Sequence, residues 1–201
     1  MGALAHFDVG RLREDWNVRH FVETGTGRGD SLAHAAQFPF DSLKSCEVDY
    51  TLREGAQNRF RGDRRVHVSL WESRDFVSWA CRTIPADQPI LFWLDAHFPG
   101  ADYQGQSFGA EADERVRLPL QTELDTIARL RPLSRDVVLV DDLRIYVDGP
   151  FGHGNLPPNV RPHCPAERGI GFIHETMGAT HDVALLYDHE GYVVMTPKRE
   201  G

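Results

Sequence analysis

The segment Phe21-Val22-Glu23-Thr24-Gly25-Thr26-Gly27-Arg28-Gly29-Asp30-Ser31 constrains the chain more than any other, because it runs an apolar strand into three glycines at alternate positions and then into a helix. Glycine takes positive φ at no steric cost, so this spacing builds a tight strand-to-helix turn and leaves bare backbone for a ligand to lie against. A dinucleotide fingerprint reads Gly-x-Gly-x-x-Gly; here the order is Glu-x-Gly-x-Gly-x-Gly, with a carboxylate two places before the first glycine. Asp30 or Ser31 is placed to cap the following helix, whose first N–H groups suit a ligand carboxylate.

The rest of the chain supplies a setting for such a turn. Short apolar, β-branched runs at His20–Glu23, Ser42–Val48, Arg65–Leu70, Pro89–Asp95, Asp136–Asp141, Asp182–Tyr187 and Tyr192–Thr196 predict seven strands. Helical periods at Ser31–Gln37, Thr51–Arg61, Ser73–Cys81, Leu120–Leu130 and Glu167–Met177 fall between them, as parallel crossovers require. His189, Glu190 and Gly191 leave room only for a tight turn before the last strand, so the final pair is an antiparallel hairpin. The expected architecture is α/β: a seven-stranded, Rossmann-like, mostly parallel sheet closed by that hairpin, with helices on both faces. Residues 98–118 and 147–165 read as long irregular loops, which in a compact domain are usually functional.

At 201 residues the chain is one domain, since a domain takes roughly 100–200 residues. Thirty acidic side chains against 22 Lys and Arg give a net charge of −8, the wrong sign for a protein held to nucleic acid by phosphate contacts. The longest apolar run, Ile90–Leu94, is far below the ~20 residues of a membrane span. No apolar stretch of signal-peptide length opens the sequence, and a cytoplasmic location is expected. Cys46, Cys81 and Cys164 are odd in number and widely spaced, which argues against a disulfide framework or a structural zinc site.

Ligands of open α/β sheets bind at the carboxyl ends of the strands. The second strand ends Cys46-Glu47-Val48-Asp49, where a carboxylate can accept from both hydroxyls of a ribose; Glu47 is the first candidate and Asp49, two residues on, the alternative. The third leads into Trp71-Glu72-Ser73-Arg74-Asp75, in which Glu72 and Ser73 suit either a purine edge or a helix cap. The fourth ends Leu94-Asp95-Ala96-His97, and the period of two aims Asp95 and His97 to one side. The fifth ends Val140-Asp141-Asp142-Leu143-Arg144. Its two aspartates serve one site only if the strand stops at Asp141 and the chain turns. Asp95, Asp141 and Asp142 would then offer three hard oxygen ligands, a set suited to Mg²⁺. Arg144 is placed to pair with one of them, in competition with a metal.

The glycine segment resembles motif I of the class I S-adenosylmethionine-dependent methyltransferases. That resemblance implies a cofactor loop of Glu23, Gly25, Thr26, Gly27, Gly29 and Ser31. It further implies ribose contacts from Glu47, adenine contacts from Glu72 and Ser73, and Asp95 beside the reacting end. Leu94-Asp95-Ala96-His97 followed by Val140-Asp141-Asp142 is similar, more narrowly, to the metal-dependent O-methyltransferases that act on sugar hydroxyls of macrolide and aminocoumarin antibiotics. By that likeness Asp95, Asp141 and Asp142 are metal ligands, and His97 stands where the family has an aspartate proposed as general base. A neutral imidazole, with an ordinary pKa of about 6.5, is a competent base near neutrality, or a fourth ligand.

The expectation is therefore S-adenosylmethionine-dependent O-methylation of a small-molecule hydroxyl, assisted by Mg²⁺, with nucleic acid and membrane excluded as partners and a homo-oligomer left open. The first long loop, carrying Phe98, Tyr103 and Phe108, and the second, carrying Phe151, His153, His163 and Cys164, are the expected acceptor-binding segments. A nicotinamide-dependent oxidoreductase and a non-catalytic nucleoside-binding module of the same fold are the competing readings.

Overall fold

The computed structural model describes residues 3–99, 101, 107–132 and 135–199. Seven strands form one sheet: β1 (His20–Thr24), β2 (Ser42–Glu47), β3 (Val66–Leu70), β4 (Ile90–Leu94), β5 (Val137–Val140), β6 (His181–Leu186) and β7 (Tyr192–Pro197). Their order is β3-β2-β1-β4-β5-β7-β6; the first five are parallel, and β7 runs antiparallel to both β5 and β6. This is the Rossmann-like sheet with a terminal hairpin that the apolar runs predict.

The helices are α1 (Val9–Asp15), α2 (Asp30–Ala35), α3 (Tyr50–Arg59), α4 (Ser73–Thr83), α5 (Glu114–Arg117), α6 (Leu120–Leu130) and α7 (Gly171–Met177). Every residue of β1, β4 and β5 is buried, which is why these strands read as continuous apolar runs. Their alternation still sorts the core. Val22, Phe92, Leu94, Val138 and Val140 pack with Phe76 and Val77 of α4, Leu124 and Ile127 of α6, and Ile173 of α7. On the other face Phe21, Leu91, Trp93 and Leu139 pack with Val9 of α1, Leu32 of α2 and Ala56 of α3.

Several boundaries differ from the sequence expectation. Helix α1 was not anticipated: Asp8 caps it by accepting from the Arg11 N–H, but its single buried residue, Val9, is too little apolar signal to read. Neither Asp30 nor Ser31 caps α2; that position is Gly29, in the left-handed region at φ +78°. Helix α7 begins at Gly171 rather than Glu167. The segment 98–118 contains α5, and 147–165 is packed rather than loose, with Phe151, Leu156, Val160 and Cys164 buried. Tyr103 lies outside the described residues.

Register brings the strand ends level. Thr24 pairs with Cys46 and with Leu94, and Leu94 with Val140. One residue beyond β1, Gly25 adopts φ +80°, and a Cβ built on it would stand 2.4 Å from the Asp95 carbonyl oxygen. The two loops thus meet backbone to backbone, which only glycine permits.

Gly25→Ala should therefore cost at least about 2 kcal/mol of unfolding free energy, from positive-φ strain plus backbone collision. Gly55→Ala, in the exposed middle of α3 with open space around it, should instead stabilise by about 0.5–1 kcal/mol. Chemical denaturation of the two variants beside the wild type checks both signs.

Candidate active site

A cleft of about 820 Å³, open to solvent, lies across the carboxyl ends of β1 to β5. Gly25, Gly27, Glu47, Glu72, Ser73, Asp95, His97, Asp141 and Asp142 all line it, whereas Glu23, Thr26, Gly29 and Ser31 do not. The four exceptions have structural explanations. Glu23 is buried beneath the glycine turn, where its Oε2 accepts from Ser45 Oγ at 2.6 Å; Ser45 Oγ in turn lies 2.5 Å from Thr26 Oγ1. Glu23 Oε1 has no hydrogen-bond partner. Gly29 sits against the Phe60 ring, 3.0 Å from where its Cβ would stand, and Ser31 belongs to the first turn of α2. The turn is thus braced from below by hydroxyl and carboxyl groups, and Gly25 and Gly27 face the cleft.

Glu47 holds the turn from the side. Its Oε2 accepts from the Gly27 N–H at 2.8 Å, and its Oε1 from the N–H groups of Val48 and Asp49 at 2.8 and 3.0 Å. A carboxylate has about four acceptor sites, so one remains for a ligand hydroxyl, and a two-hydroxyl contact requires one backbone bond to be exchanged. Asp49 is taken up as the cap of α3, accepting from the Leu52 N–H at 2.9 Å. Beyond Glu47, Val48, Leu52 and Trp71 form an apolar wall. Trp71 and Val48 are each more than two-fifths exposed, a surface that a flat aromatic ligand would cover. Glu72 pairs with Arg74 at 3.0 Å, and Ser73 opens α4.

At the other end of the cleft the chain turns as the double aspartate requires. Strand β5 stops at Val140, Asp142 takes φ +53°, and its N–H donates to Asp141 Oδ1 at 2.8 Å, so both aspartates face the same space. His97 lies between them and β4: its Nε2 is 2.6 Å from Asp142 Oδ2 and its Nδ1 is 3.5 Å from Asp95 Oδ1. Burial alone would lower the His97 pKa, but Asp142, and then Asp95 and Asp141, push it up to about 10. These charges favour the imidazolium form, whose Nε2–H donates to Asp142, at the position where the sequence resemblance implies a general base or a fourth ligand. Asp142, despite its burial, is held below the ordinary carboxylate range by His97 and Arg144. Burial and the Asp142 charge push Asp141 up to about 7, and burial raises Asp95 as well.

The trio of aspartates does not fit Mg²⁺ in this arrangement. Both oxygens of Asp142 are already engaged, Oδ2 by His97 Nε2 at 2.6 Å and Oδ1 by Arg144 Nε at 3.1 Å. Among the described residues no three His, Cys, Asp or Glu side chains are disposed to hold a metal ion. The Arg144 pairing that the sequence left as a competing possibility is the one the fold adopts. In the second long loop His153 contacts Glu190, while the Cys164 thiol lies 3.8 Å from the Val160 carbonyl oxygen.

One buried carboxyl was missed. Glu123 of α6 is 1% exposed and borders a small hollow that also touches His97, Asp141 and Tyr146. Burial pushes its pKa up to about 7, against the opposing pull of the Ser73 and Thr24 hydroxyls. A signal was present: Glu123 interrupts the apolar face of Leu120, Leu124 and Ile127.

No family model matches the sequence, and no curated protein does. Solved structures do resemble it. An S-adenosylhomocysteine-bound methyltransferase of Podospora anserina superposes with a TM-score of 0.62 at 16% identity, over 94% of this chain and 76% of that one. A putative caffeoyl-CoA O-methyltransferase of Staphylococcus aureus gives 0.62 at 13%, over 98% and 85%. The O-methyltransferase TomG of Streptomyces achromogenes, in complex with S-adenosylmethionine, gives 0.56 at 16%, over 94% and 77%. The chain therefore has the fold of the class I methyltransferases. A spermidine synthase of Thermotoga maritima shares it, with a TM-score of 0.51 at 13% identity over 92% and 55%, so the fold alone does not fix the reaction. No helix among the described residues is long and apolar enough to cross a membrane.

The buried Glu23 yields a test. Burial, partly offset by the Ser45 hydrogen bond, pushes its pKa from 4.5 up to about 8. Between those values the folded state binds a proton that the unfolded state has released, so stability falls as pH rises. Glu23→Gln removes this loss. Relative to wild type, the variant should gain on the order of 1 kcal/mol per pH unit between about pH 5 and 8, read from denaturation midpoints across that range.

Proposed function

We propose that the chain is an S-adenosylmethionine-dependent methyltransferase that O-methylates a small-molecule hydroxyl. The observation that carries this reading is the sharing of one cleft by the glycine turn with Glu47 and by the Asp95–His97–Asp142 cluster. The first pair suits a nucleoside bearing an amino-acid tail, and the second brings acid–base groups into the same cleft. When bound, the cofactor supplies an activated methyl group on sulfur, so the protein needs only to align an acceptor and remove its proton.

The residues present fit that cofactor. Glu47 offers a free acceptor site to a ribose hydroxyl, the wall of Val48, Leu52 and Trp71 offers an apolar face to adenine, and Gly25 and Gly27 offer bare backbone to the tail. Asp141 is the group whose pKa has been moved into the range for accepting a hydroxyl proton near neutrality. His97 supplies positive charge beside the site and keeps the carboxylates in place. A sugar or natural-product hydroxyl remains the acceptor class favoured by the sequence resemblance. The nicotinamide reading is weakened by the glycine spacing and by the terminal hairpin.

Calorimetry with S-adenosylhomocysteine tests the cofactor half: the wild type should bind it and not NADH, and Glu47→Gln should weaken binding about tenfold, the loss of one charge-assisted hydrogen bond. Incubation with labelled S-adenosylmethionine and a panel of sugar, phenol and catechol acceptors tests the transfer half. Asp141→Asn should abolish transfer while leaving S-adenosylhomocysteine affinity within about threefold. NADH binding without S-adenosylhomocysteine binding would replace this reading with an oxidoreductase.

A further inference from the structure

We propose that Arg144 is a built-in counter-cation of the aspartate cluster, that it and the His97 ring occupy the carboxylate oxygens a divalent ion would otherwise take, and that Arg144 is the positioning residue that fixes Asp142. Three carboxylates converge on one end of the cleft, an arrangement that needs compensating positive charge. The structure supplies it from the chain. The His97 ring stands between Asp95 and Asp142, with one nitrogen toward each, at 3.5 and 2.6 Å. Arg144 Nε meets the remaining oxygen of Asp142 at 3.1 Å, and Arg144 itself is turned toward the buried Glu190 at 3.9 Å.

Arg144 is anchored through its backbone as well. Its N–H donates to the Glu190 carbonyl at 3.3 Å, and its carbonyl accepts from the Arg168 guanidinium at 2.5 Å. A guanidinium does not deprotonate in a protein and holds a fixed fork, so it cannot yield to an incoming ion by losing its charge. The side chains of His97, Asp142 and Arg144 are 12, 17 and 20% exposed, so salt screens them little. A divalent ion entering here would have to displace the guanidinium and the imidazole from the two oxygens of Asp142, and Mg²⁺ in addition gives up its own water reluctantly. The site is accordingly metal-independent, and its specificity against metals is set by residues 97 and 144.

The test is cation binding, and it stands apart from the methyltransferase reading, since S-adenosylhomocysteine titration of the same preparations probes that separately. MgCl₂ and MnCl₂ are titrated calorimetrically into the wild type, Arg144→Gln, His97→Asn, the double variant and Asp142→Asn, with thermal unfolding followed at millimolar cation. The wild type is expected to show no saturable binding at the cluster and no rise in Tm, and the double variant to acquire Mn²⁺ binding at least about tenfold tighter, with a raised Tm. Arg144→Lys, which keeps the charge, should stay metal-free and serves where the double variant does not fold. Saturable binding by the wild type that disappears in Asp142→Asn overturns the proposal, as does failure of every folded charge-removing variant to gain binding. Binding that survives Asp142→Asn lies elsewhere and is subtracted.

Discussion

The site depends on a backbone contact. Gly25 touches the carbonyl of Asp95, and a single methyl group at that position would hold the β1 and β4 loops apart. With the contact made, hydrogen bonds run one or two residues past the ends of the strands. The Gly25 and Thr26 N–H groups both donate to the Cys46 carbonyl, Asp95 N–H donates to that of Thr24, and Asp141 N–H to that of Leu94. Each strand therefore releases its loop at the same height. Side chains from four separate strand ends converge on one cleft without any of them needing to reach.

Convergence creates an electrostatic difficulty, and the protein meets it in two ways. At the base of the site Glu23 and Glu123 are buried without a full set of partners, and burial raises their pKa values to about 8 and about 7, shifting both toward the neutral form in a medium that penalises charge. At its surface Asp142 keeps its charge because His97 and Arg144 stand against it. Removing one member of so buried a set leaves the others uncompensated, a cost that is usually larger than the worth of the pair itself. The same logic operates at the opposite end of the sheet. There Arg131 and Asp136, both fully buried as side chains, pair at 2.6 Å and bind the end of α6 to the start of β4 through the Ile90 N–H and the Gln88 carbonyl.

What could be read from the sequence was whatever is local. The number of strands, their mostly parallel pairing and the closing hairpin followed from apolar runs, intervening helical periods and the short last turn, α6 from its period, and the glycine turn from spacing. The turn at Asp141–Asp142 was readable as a condition, because two adjacent carboxylates share a site only where a strand stops. Helix α1 escaped, since one buried valine carries no periodicity. That Thr26 and Ser31 lie off the cleft lining was not legible, because a motif specifies backbone shape, while which side chain faces the cleft depends on what lies beneath it, for Thr26 the Ser45 and Glu23 side chains. The protonation of His97 was out of reach for a stronger reason: it is a sum over Asp142, Asp95 and Asp141, residues as many as 47 positions apart in the chain.

That sum also separates this cluster from a metal site built of the same residue types. A carboxylate trio alone says only that negative charge is gathered at the strand ends. Whether an ion or a side chain balances it is decided by the geometry of the neighbours, and here a ring nitrogen and a guanidinium nitrogen have each taken an oxygen of one aspartate. A mobile ion can leave and be replaced, whereas covalently tethered side chains keep Asp142 aligned whether or not a ligand is present. The arrangement is preorganised, so the cost of ordering its charges is met when the chain folds rather than when a ligand arrives.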